Sequence, residues 1–261
     1  MTRIIDLSLP IDDTAPEPFP VKVERVGHVE GAHRVGMKFQ PPEGGRRIDG
    51  TSFPDGMFIS HESVTASVHC GTHVDAPYHF GPDSEGKPAK SIAELPLGWC
   101  YGNGFVLDMT MLEPGSEITP GDVDRALADI GYTVKPCDIA LVRTGADRYF
   151  GTQDYFRMFA GFGESGLAYL LDMGIRTVGT DSVTLERPFG TMVEDYFSAG
   201  DGSALWPAHL YGRKREYCHI ERLANLDKLP RPYGFTFACF PVKIKDAGAA
   251  WARAVAIIED F

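Results

Sequence analysis

Short apolar runs of strand length recur along this chain with helix signals between them, and this interleaving constrains the fold more than any other feature. Residues 104–109 and 139–143 each predict a buried strand, and 235–244 and 254–258 predict two more near the C-terminus. Strands that outnumber the helices and alternate with them favour a mixed α/β fold, with sheets packed against helices. Because the 261 residues contain no internal repeat, low-complexity tract or linker, we expect a single compact domain over residues 1–261.

The helix signals are clearest between the first two of these runs. Thr119 is a suitable N-cap, Pro120 follows at the first helical position, and Gly131 ends the apolar pattern. A second, shorter helix is predicted over residues 165–173, closed by Gly174. A strand is predicted after each helix, over residues 139–143 and 176–179, as a mixed α/β fold requires.

The N-terminal quarter of the chain gives a weaker pattern. Residues 11–60 are rich in Pro, Gly and charge, which predicts long ordered loops with a short strand at most. Polar and apolar residues then alternate from Glu62 to His69, which predicts a half-buried strand that carries His69 at its end.

Composition excludes several classes of protein. The formal net charge is −11, and three consecutive basic residues form the densest basic patch, so a nucleic-acid binder is not expected. No apolar run reaches the about 18 residues of a membrane span. Five scattered cysteines, none spaced as CxxC, argue against a disulfide framework, and the N-terminus lacks the apolar stretch of a signal peptide. We therefore expect a cytoplasmic protein.

The strongest chemical signal is a cluster of potential metal ligands between His69 and His79, which reads H-x-x-x-H-x-D-x-x-x-H. Imidazole and carboxylate groups suit zinc and, with more oxygen ligands, manganese. Four residues of straight strand span about 13 Å, so His69 and His73 can share an ion only if the chain turns between them. Gly71 permits that turn, and Asp75 can point the same way as His73 from a short extended piece.

One segment rarely completes a metal site, so more distant ligands are expected. His209 and Glu221 are the best candidates. Four other histidines compete for the same role, and periodicity does not separate them: His28, His33, His61 and His219.

These residues carry a family resemblance. The stretch His69-x-Gly71-Thr72-His73-x-Asp75-x-Pro77-x-His79-Phe80 resembles the signature of the cyclase superfamily, which includes bacterial kynurenine formamidase, isatin hydrolase and aromatic polyketide cyclases. The similarity extends over nearly the whole chain, through residues 5–8, 221–230 and 235–244. It implies a compact α/β domain with mixed sheets that assembles as a homodimer or a larger homo-oligomer.

The resemblance also implies roles for the clustered residues. By position, His69, His73 and Asp75 would bind one divalent ion, zinc or manganese. Asp75 would bridge to a second ion held with His209 and Glu221, and His79 would donate and accept protons. Isatin hydrolase lacks a counterpart of Glu221 and holds one metal, so the carboxylate here favours two ions.

The resulting functional hypothesis is a metal-dependent hydrolase that cleaves an amide, lactam or formamide bond of a small aromatic substrate. The alternative within the superfamily is a polyketide ring cyclase, in which the metal stabilises an enolate and His79 is the acid and base. A third possibility is a metal-stabilised binding protein without catalysis. Residues 31–60 form a longer Pro- and Gly-rich excursion than in the formamidases, which predicts a different wall for the substrate pocket.

Overall fold

The computed structural model describes residues 1–39 and 41–259 of the chain. The chain divides into two compact units. One unit comprises Met1–Pro16 and the chain from Val68 onwards, and the other comprises Glu17–Ser67. The organisation of residues 1–261 as one domain stays a prediction beside this division.

The larger unit contains most of the regular structure. Its helices are α2 (Pro77–Phe80), α3 (Pro120–Ile130), α4 (Glu164–Asp172), α5 (Phe189–Ala199) and α6 (Pro207–Tyr211), and α1 (His28–Lys38) belongs to the smaller unit. Across the described ranges, no helix combines the length and the apolar character needed to cross a membrane. In chain order, the strands are β1 (Thr2–Asp6), β2 (Lys22–Val26), β3 (His61–Thr65), β4 (His73–Asp75), β5 (Asp83–Ser84), β6 (Lys87–Pro88), β7 (Tyr101–Asp108), β8 (Glu117–Ile118), β9 (Ile139–Arg143), β10 (Gly161–Phe162), β11 (Thr177–Thr180), β12 (Cys218–Glu221), β13 (Tyr233–Ala238), β14 (Ala249–Trp251) and β15 (Val255–Glu259).

A nine-stranded sheet organises the larger unit, with the strand order β1-β15-β13-β7-β9-β11-β12-β4-β14. Its centre, β7-β9-β11-β12, is parallel, and both flanks are antiparallel. Parallel neighbours require crossover connections, and helices α3 to α6 lie within these connections. The predicted mixed α/β fold is therefore confirmed.

Both faces of the sheet are buried, each against its own apolar cluster. Along β9, Ile139 and Leu141 belong to one cluster, and Ala140 and Val142 to the other. The first cluster also takes Val74 of β4 and Ile220 of β12. Because side chains alternate across a strand, the neighbours of these residues in β4 and β12 face the second cluster, on the same side as Ala140 and Val142.

The helix signals in the sequence correspond closely to α3. Thr119 is the N-cap, with its hydroxyl accepting from the Asp122 N–H, and the Asp122 carboxylate accepts from the Thr119 N–H in return. Pro120 is the first helical residue, and Gly131 ends the helix in the left-handed conformation with φ +63°. The caps hold both ends of the helix as the sequence predicts.

The smaller unit corrects two predictions. Residues 11–60 are largely loop with the short strand β2, as predicted, but they also contain the eleven-residue helix α1, which buries Gly31 and Ala32 and was not predicted. The predicted half-buried strand from Glu62 to His69 is also wrong: β3 ends at Thr65, all five of its residues are exposed, and it pairs with β2 in a two-stranded sheet. The alternation reflects an exposed strand of this two-stranded sheet, and His69 lies in the turn that precedes β4.

Candidate metal centre

Two short strands bring the polar cluster together. Strand β12 pairs with β4 in antiparallel register, with His219 opposite Asp75 and Glu221 opposite His73. Residues opposite each other on paired strands project to the same face of the sheet. The pairing therefore places an H-x-D and an H-x-E motif side by side, on the face opposite to Val74 and Ile220.

The signature segment reaches this position by a turn, as the sequence predicts. Gly71 adopts φ +60°, a conformation that favours glycine, and β4 begins two residues later at His73. After β4, Pro77 opens the single-turn helix α2, which carries His79. The turn thus carries His69, β4 carries His73 and Asp75, and α2 carries His79. The four side chains converge.

Asp75 lies at the centre of the cluster and is fully buried. Its Oδ1 is 3.1 Å from His69 Nδ1 and 3.4 Å from His73 Nε2. Its Oδ2 is 3.0 Å from His219 Nε2 and 3.7 Å from His209 Nε2. The two oxygens therefore face two different pairs of imidazoles, which is the arrangement that a bridging carboxylate requires.

Glu221 is the second buried carboxylate of the cluster. Its Oε2 lies 3.4 Å from His73 Nε2, and its Oε1 lies 3.2 Å from His219 Nε2 and 3.9 Å from His209 Nε2. The Leu185 N–H donates to Oε1 at 3.1 Å, which orients the carboxylate. Burial alone would raise the pKa of Glu221, but hydrogen bonds from His219 and His73 outweigh it and hold the pKa well below its usual range.

The same balance applies to Asp75. Burial opposes its ionisation, yet the attraction of His73 and the nearby imidazoles of His209, His219 and His69 hold its pKa well below the ordinary value. The cluster thus contains two carboxylates that stay ionised in an interior where unpaired charge is costly. Asp75 Oδ1 in addition has no well-formed hydrogen bond to any residue that the structure describes.

Hydrogen bonds on the far side of each buried imidazole fix which nitrogen faces the carboxylates. His73 Nδ1 lies 3.0 Å from the Gly71 carbonyl oxygen, so Nδ1 is the donor. His209 Nδ1 lies 2.8 Å from both carboxylate oxygens of Glu186 and donates to them. With Nδ1 protonated, the neutral form of each ring presents a bare Nε2 lone pair to the cluster.

The donor set fits divalent cations. Two groups have ligand atoms within 4.8 Å of one another: His69, His73 and Asp75 form one, and Asp75, His209, His219 and Glu221 form the other. Bare imidazole nitrogens pointing at carboxylate oxygens repel unless a cation or a proton lies between them. The fixed tautomers, together with an Asp75 Oδ1 that lacks a well-formed hydrogen bond, suit a divalent cation within this cluster.

His79 lies at the solvent side of the cluster. Its side chain is 33% exposed, its Nε2 is 3.8 Å from Asp75 Oδ2, and its ring centroid is 4.3 Å from that of His69. Burial, together with the nearby His69 and His209, outweighs the attraction of Asp75 and lowers the pKa of His79 to about 4. His79 is therefore neutral near pH 7 and can accept a proton.

The structure brings all six sequence-predicted site residues together within the larger unit: His69, His73, Asp75, His79, His209 and Glu221. Of the four competing histidines, His28, His33 and His61 belong to neither ligand group among the described residues. His219 does belong, and its spacing from Glu221 repeats that of His73 from Asp75, which is the signal that could have identified it.

Two further residues were not predicted from the sequence. Glu186 is fully buried and accepts hydrogen bonds from the backbone N–H and the ring of His209. Tyr217 lies two residues before His219, and its hydroxyl is 3.2 Å from His219 Nδ1. Both act on the far nitrogen of an imidazole, a contact that sequence spacing alone does not reveal.

Comparison with known proteins places this geometry in context. The model of the family described as "Putative cyclase" matches residues 5–187. A kynurenine formamidase of Maricaulis maris (strain MCS10) is 28% identical over 192 residues, which cover 74% of this chain and 78% of the formamidase.

Solved structures share the fold. The structure of an isatin hydrolase bound to the product analogue thioisatinate superposes with a TM-score of 0.74 at 20% identity, covering 99% of this chain and 93% of that chain. A structure described as a predicted metal-dependent hydrolase from Bacillus stearothermophilus gives a TM-score of 0.62 at 19% identity, covering 99% and 100% of the two chains. At these identities the likeness concerns the fold.

Proposed function

Because this chain belongs to the cyclase family, whose model matches residues 5–187 of its 261, we propose that it is a divalent-metal-dependent hydrolase. The proposed reaction is cleavage of an amide, lactam or formamide bond in a small aromatic substrate. The observation that carries this proposal is a pair of adjacent ligand groups. In these groups, imidazole nitrogens with lone pairs and two ionised carboxylates lie close together.

The residues divide into two proposed metal positions. His69, His73 and the Oδ1 side of Asp75 would hold one ion, and the Oδ2 side of Asp75 with His209 and Glu221 would hold the second. Zinc or manganese suits these nitrogen and oxygen donors. A bound divalent cation supplies a lowered pKa for a water ligand and polarises a substrate carbonyl.

His79 is the proposed acid and base of the reaction. Its lowered pKa of about 4 keeps it neutral, so it can take a proton from the attacking water and then give it to the leaving nitrogen. Its partial exposure leaves the ring accessible to a substrate, whereas Asp75 and His73 are sealed from solvent. Helix α2 holds His79 in place, since the His79 N–H donates to the Ala76 carbonyl at 2.8 Å.

The relatives support the proposed substrate class. One relative is a kynurenine formamidase, and one structural relative is an isatin hydrolase. A formamide and a lactam both place a carbonyl carbon next to a nitrogen leaving group, which matches the chemistry proposed for His79. We therefore propose N-formylated arylamines and isatin-like lactams as the first substrates to test.

Metal dependence is the first test. Protein stripped with a chelator should lose hydrolysis of N-formylkynurenine or isatin, and either Zn²⁺ or Mn²⁺ should restore it. Chelator-treated protein that keeps full activity, or purified protein that binds neither cation, would refute the proposal. The same experiment with His79→Ala separates a catalytic from a purely structural role, because metal content should stay unchanged while turnover falls.

The alternative is a ring cyclase, which the family description favours. Reaction in ¹⁸O-labelled water distinguishes the two, since hydrolysis places one labelled oxygen in the product and ring closure places none. Unlabelled product would therefore favour the cyclase. We further propose that the chain is a cytoplasmic homo-oligomer, and light scattering on the purified protein would test its assembly.

A further inference from the structure

We infer that His219 is a fourth protein ligand of the second ion, so that the two metal positions are unequal. The position of Asp75, His209, His219 and Glu221 is then closed, and the position of His69, His73 and Asp75 remains open. This inference rests on the proposed function, since it takes the cluster to bind divalent cations.

The Nε2 atom of His219 lies closer to both carboxylates than the Nε2 atom of His209 does. His219 Nε2 is 3.0 Å from Asp75 Oδ2 and 3.2 Å from Glu221 Oε1, whereas His209 Nε2 is 3.7 Å and 3.9 Å from the same atoms. The register of β4 and β12 fixes this placement, because His219 lies directly opposite Asp75. A cation held by Asp75 and Glu221 would therefore lie within reach of His219.

A hydrogen bond on the far side of the ring prepares His219 for this role. The Tyr217 hydroxyl donates its one proton to the Ala208 carbonyl at 3.0 Å. The His219 Nδ1, 3.2 Å from the same hydroxyl oxygen, is therefore the donor in their contact. Its Nε2 then carries the lone pair, as in His73 and His209, and a metal-binding histidine ordinarily has its other nitrogen held in this way.

Packing around the ring supports a dry, fixed ligand. His219 and Tyr217 are both fully buried. The Phe80 ring lies 5.0 Å from that of Tyr217, 5.1 Å from that of His219 and 5.4 Å from that of His209, measured between centroids. An apolar wall of this kind excludes water from the ligands and limits the exchange of the ion.

The two positions differ in ligand number and in burial. Four protein ligands saturate a tetrahedral zinc site, whereas three leave a position for water or substrate. All four residues of the closed position are buried, but the side chain of His69 in the open position is 31% exposed. The structure therefore assigns tight, slowly exchanging binding to the closed position, and substrate access to the open one beside His79.

The test is a competition titration of metal-stripped full-length protein with Co²⁺ in the presence of a chelator of known affinity. Wild-type protein should bind two ions per chain in two steps, the first at least about tenfold tighter than the second. His219→Gln should weaken the tight step by at least about 100-fold, the upper end of what loss of a ligand's hydrogen-bond partner costs, and leave the weak step in place. His69→Gln should do the reverse, weakening only the second step.

The visible absorption of Co²⁺ gives a second readout that does not depend on activity. The first equivalent should show the intense bands of four-coordinate cobalt in the wild type, and weaker bands in His219→Gln. Tyr217→Phe keeps the ligand but removes its hydrogen-bond partner, so the tight step should weaken by about tenfold even if His219→Gln fails to fold. His33→Gln, an exposed histidine outside both ligand groups, should change neither step.

The outcomes separate this inference from the function that it deepens. Two equal steps in the wild type, or a tight step that neither His219→Gln nor Tyr217→Phe weakens, would overturn the role of His219 while leaving a metal-dependent hydrolase intact. Wild-type protein that binds no Co²⁺ would overturn the proposed function itself.

Discussion

The substitution Glu186→Gln tests whether a fully buried carboxylate behind the His209 ring controls how tightly His209 binds metal. Glu186 is completely buried, and its Oε1 accepts from the His209 backbone N–H at 2.6 Å and from Nδ1 at 2.8 Å. Its Oε2 lies 2.8 Å from the same Nδ1 and accepts from the Thr184 hydroxyl at 2.9 Å. Glutamine can keep the Oε1 contacts, and its amide can face a Thr184 hydroxyl that turns to accept.

The expected change follows from the charge that is removed. The Glu186 carboxylate makes the His209 ring a stronger base and holds its Nδ1 proton, so that Nε2 faces Asp75. Loss of such a partner costs about 10- to 100-fold in metal affinity, or about 1.4 to 2.7 kcal/mol. Glu186→Ala should also lower the free energy of unfolding, because it leaves two buried N–H donors of His209 unpaired. Each unpaired donor costs about 1 to 3 kcal/mol of folding stability.

The assay is the chelator competition titration, combined with urea unfolding of the metal-free protein. Asp138→Asn is the matched control, since Asp138 is a buried carboxylate that accepts from the Tyr132 hydroxyl and the Lys135 N–H, each at 2.8 Å, outside both ligand groups. It should lower stability without changing metal affinity. Folded Glu186→Gln protein that binds metal as tightly as the wild type would refute the reasoning.

Three further predictions concern proton transfer and pH. His79→Ala should lower kcat by about 10² to 10⁴ while the metal content measured by mass spectrometry stays unchanged, and a parallel loss of metal would contradict a role in proton transfer. Because the pKa of His79 is lowered to about 4, its ring in the metal-free protein should stay neutral down to about pH 5 and take up a proton only below it, and an NMR titration of this ring with a midpoint near the unperturbed histidine pKa of about 6.5 would be evidence against the assignment. Burial raises the pKa of Asp181 from 3.8 to about 7 despite hydrogen bonds from Thr144 and Gly145, so the folded state keeps a proton that the unfolded state releases. The contribution of Asp181 to the free energy of unfolding should therefore be largest below pH 4 and decline by up to about 4 kcal/mol as pH rises to 7. If wild type and Asp181→Asn show the same pH slope in urea unfolding, this contribution is excluded.

The sequence predicted the fold class and the family well, and local signals explain why. The cyclase-family assignment, the expectation of an enzyme and the mixed α/β fold are confirmed. The predicted strand 139–143 coincides with β9, and the predicted helix from Pro120 to Gly131 corresponds to α3 with its caps. In these segments the periodicity and the cap chemistry agree, so local sequence is sufficient.

The errors lie where tertiary structure decides. Alternation over residues 62–69 predicts a half-buried strand, but β3 is an exposed strand that ends at Thr65, and residues 68–72 form the turn before β4. Helix α1 was missed because its sequence contains Gly31 and Gly36, and glycine disfavours helix. A short stretch of sequence determines neither the pairing partner of a strand nor the packing of a glycine-containing helix.

The sequence predicted the candidate ligands of the site from their residue types. It did not predict the residues that support these ligands. His73 and Asp75 stand two apart in one motif, so a local pattern was enough to select them. The contact of His219 with Asp75 joins residues 144 positions apart, and that of Glu186 with His209 joins residues 23 positions apart. Such contacts arise only from the strand register and the connections around β12. The metal-binding and catalytic roles of these residues stay predictions until metal is measured.

The antiparallel register of β4 and β12 also constrains how the chain can fold and diverge. Shifting either strand by a single residue would turn Val74 or Ile220 toward the polar side and bury the ligands in the apolar layer. Only a shift by two residues would preserve the alternation, and it would separate His219 from Asp75. On the proposed metal site, metal uptake would report correct pairing of these strands, and single-residue insertions within β4 or β12 should be absent from any active descendant of this chain.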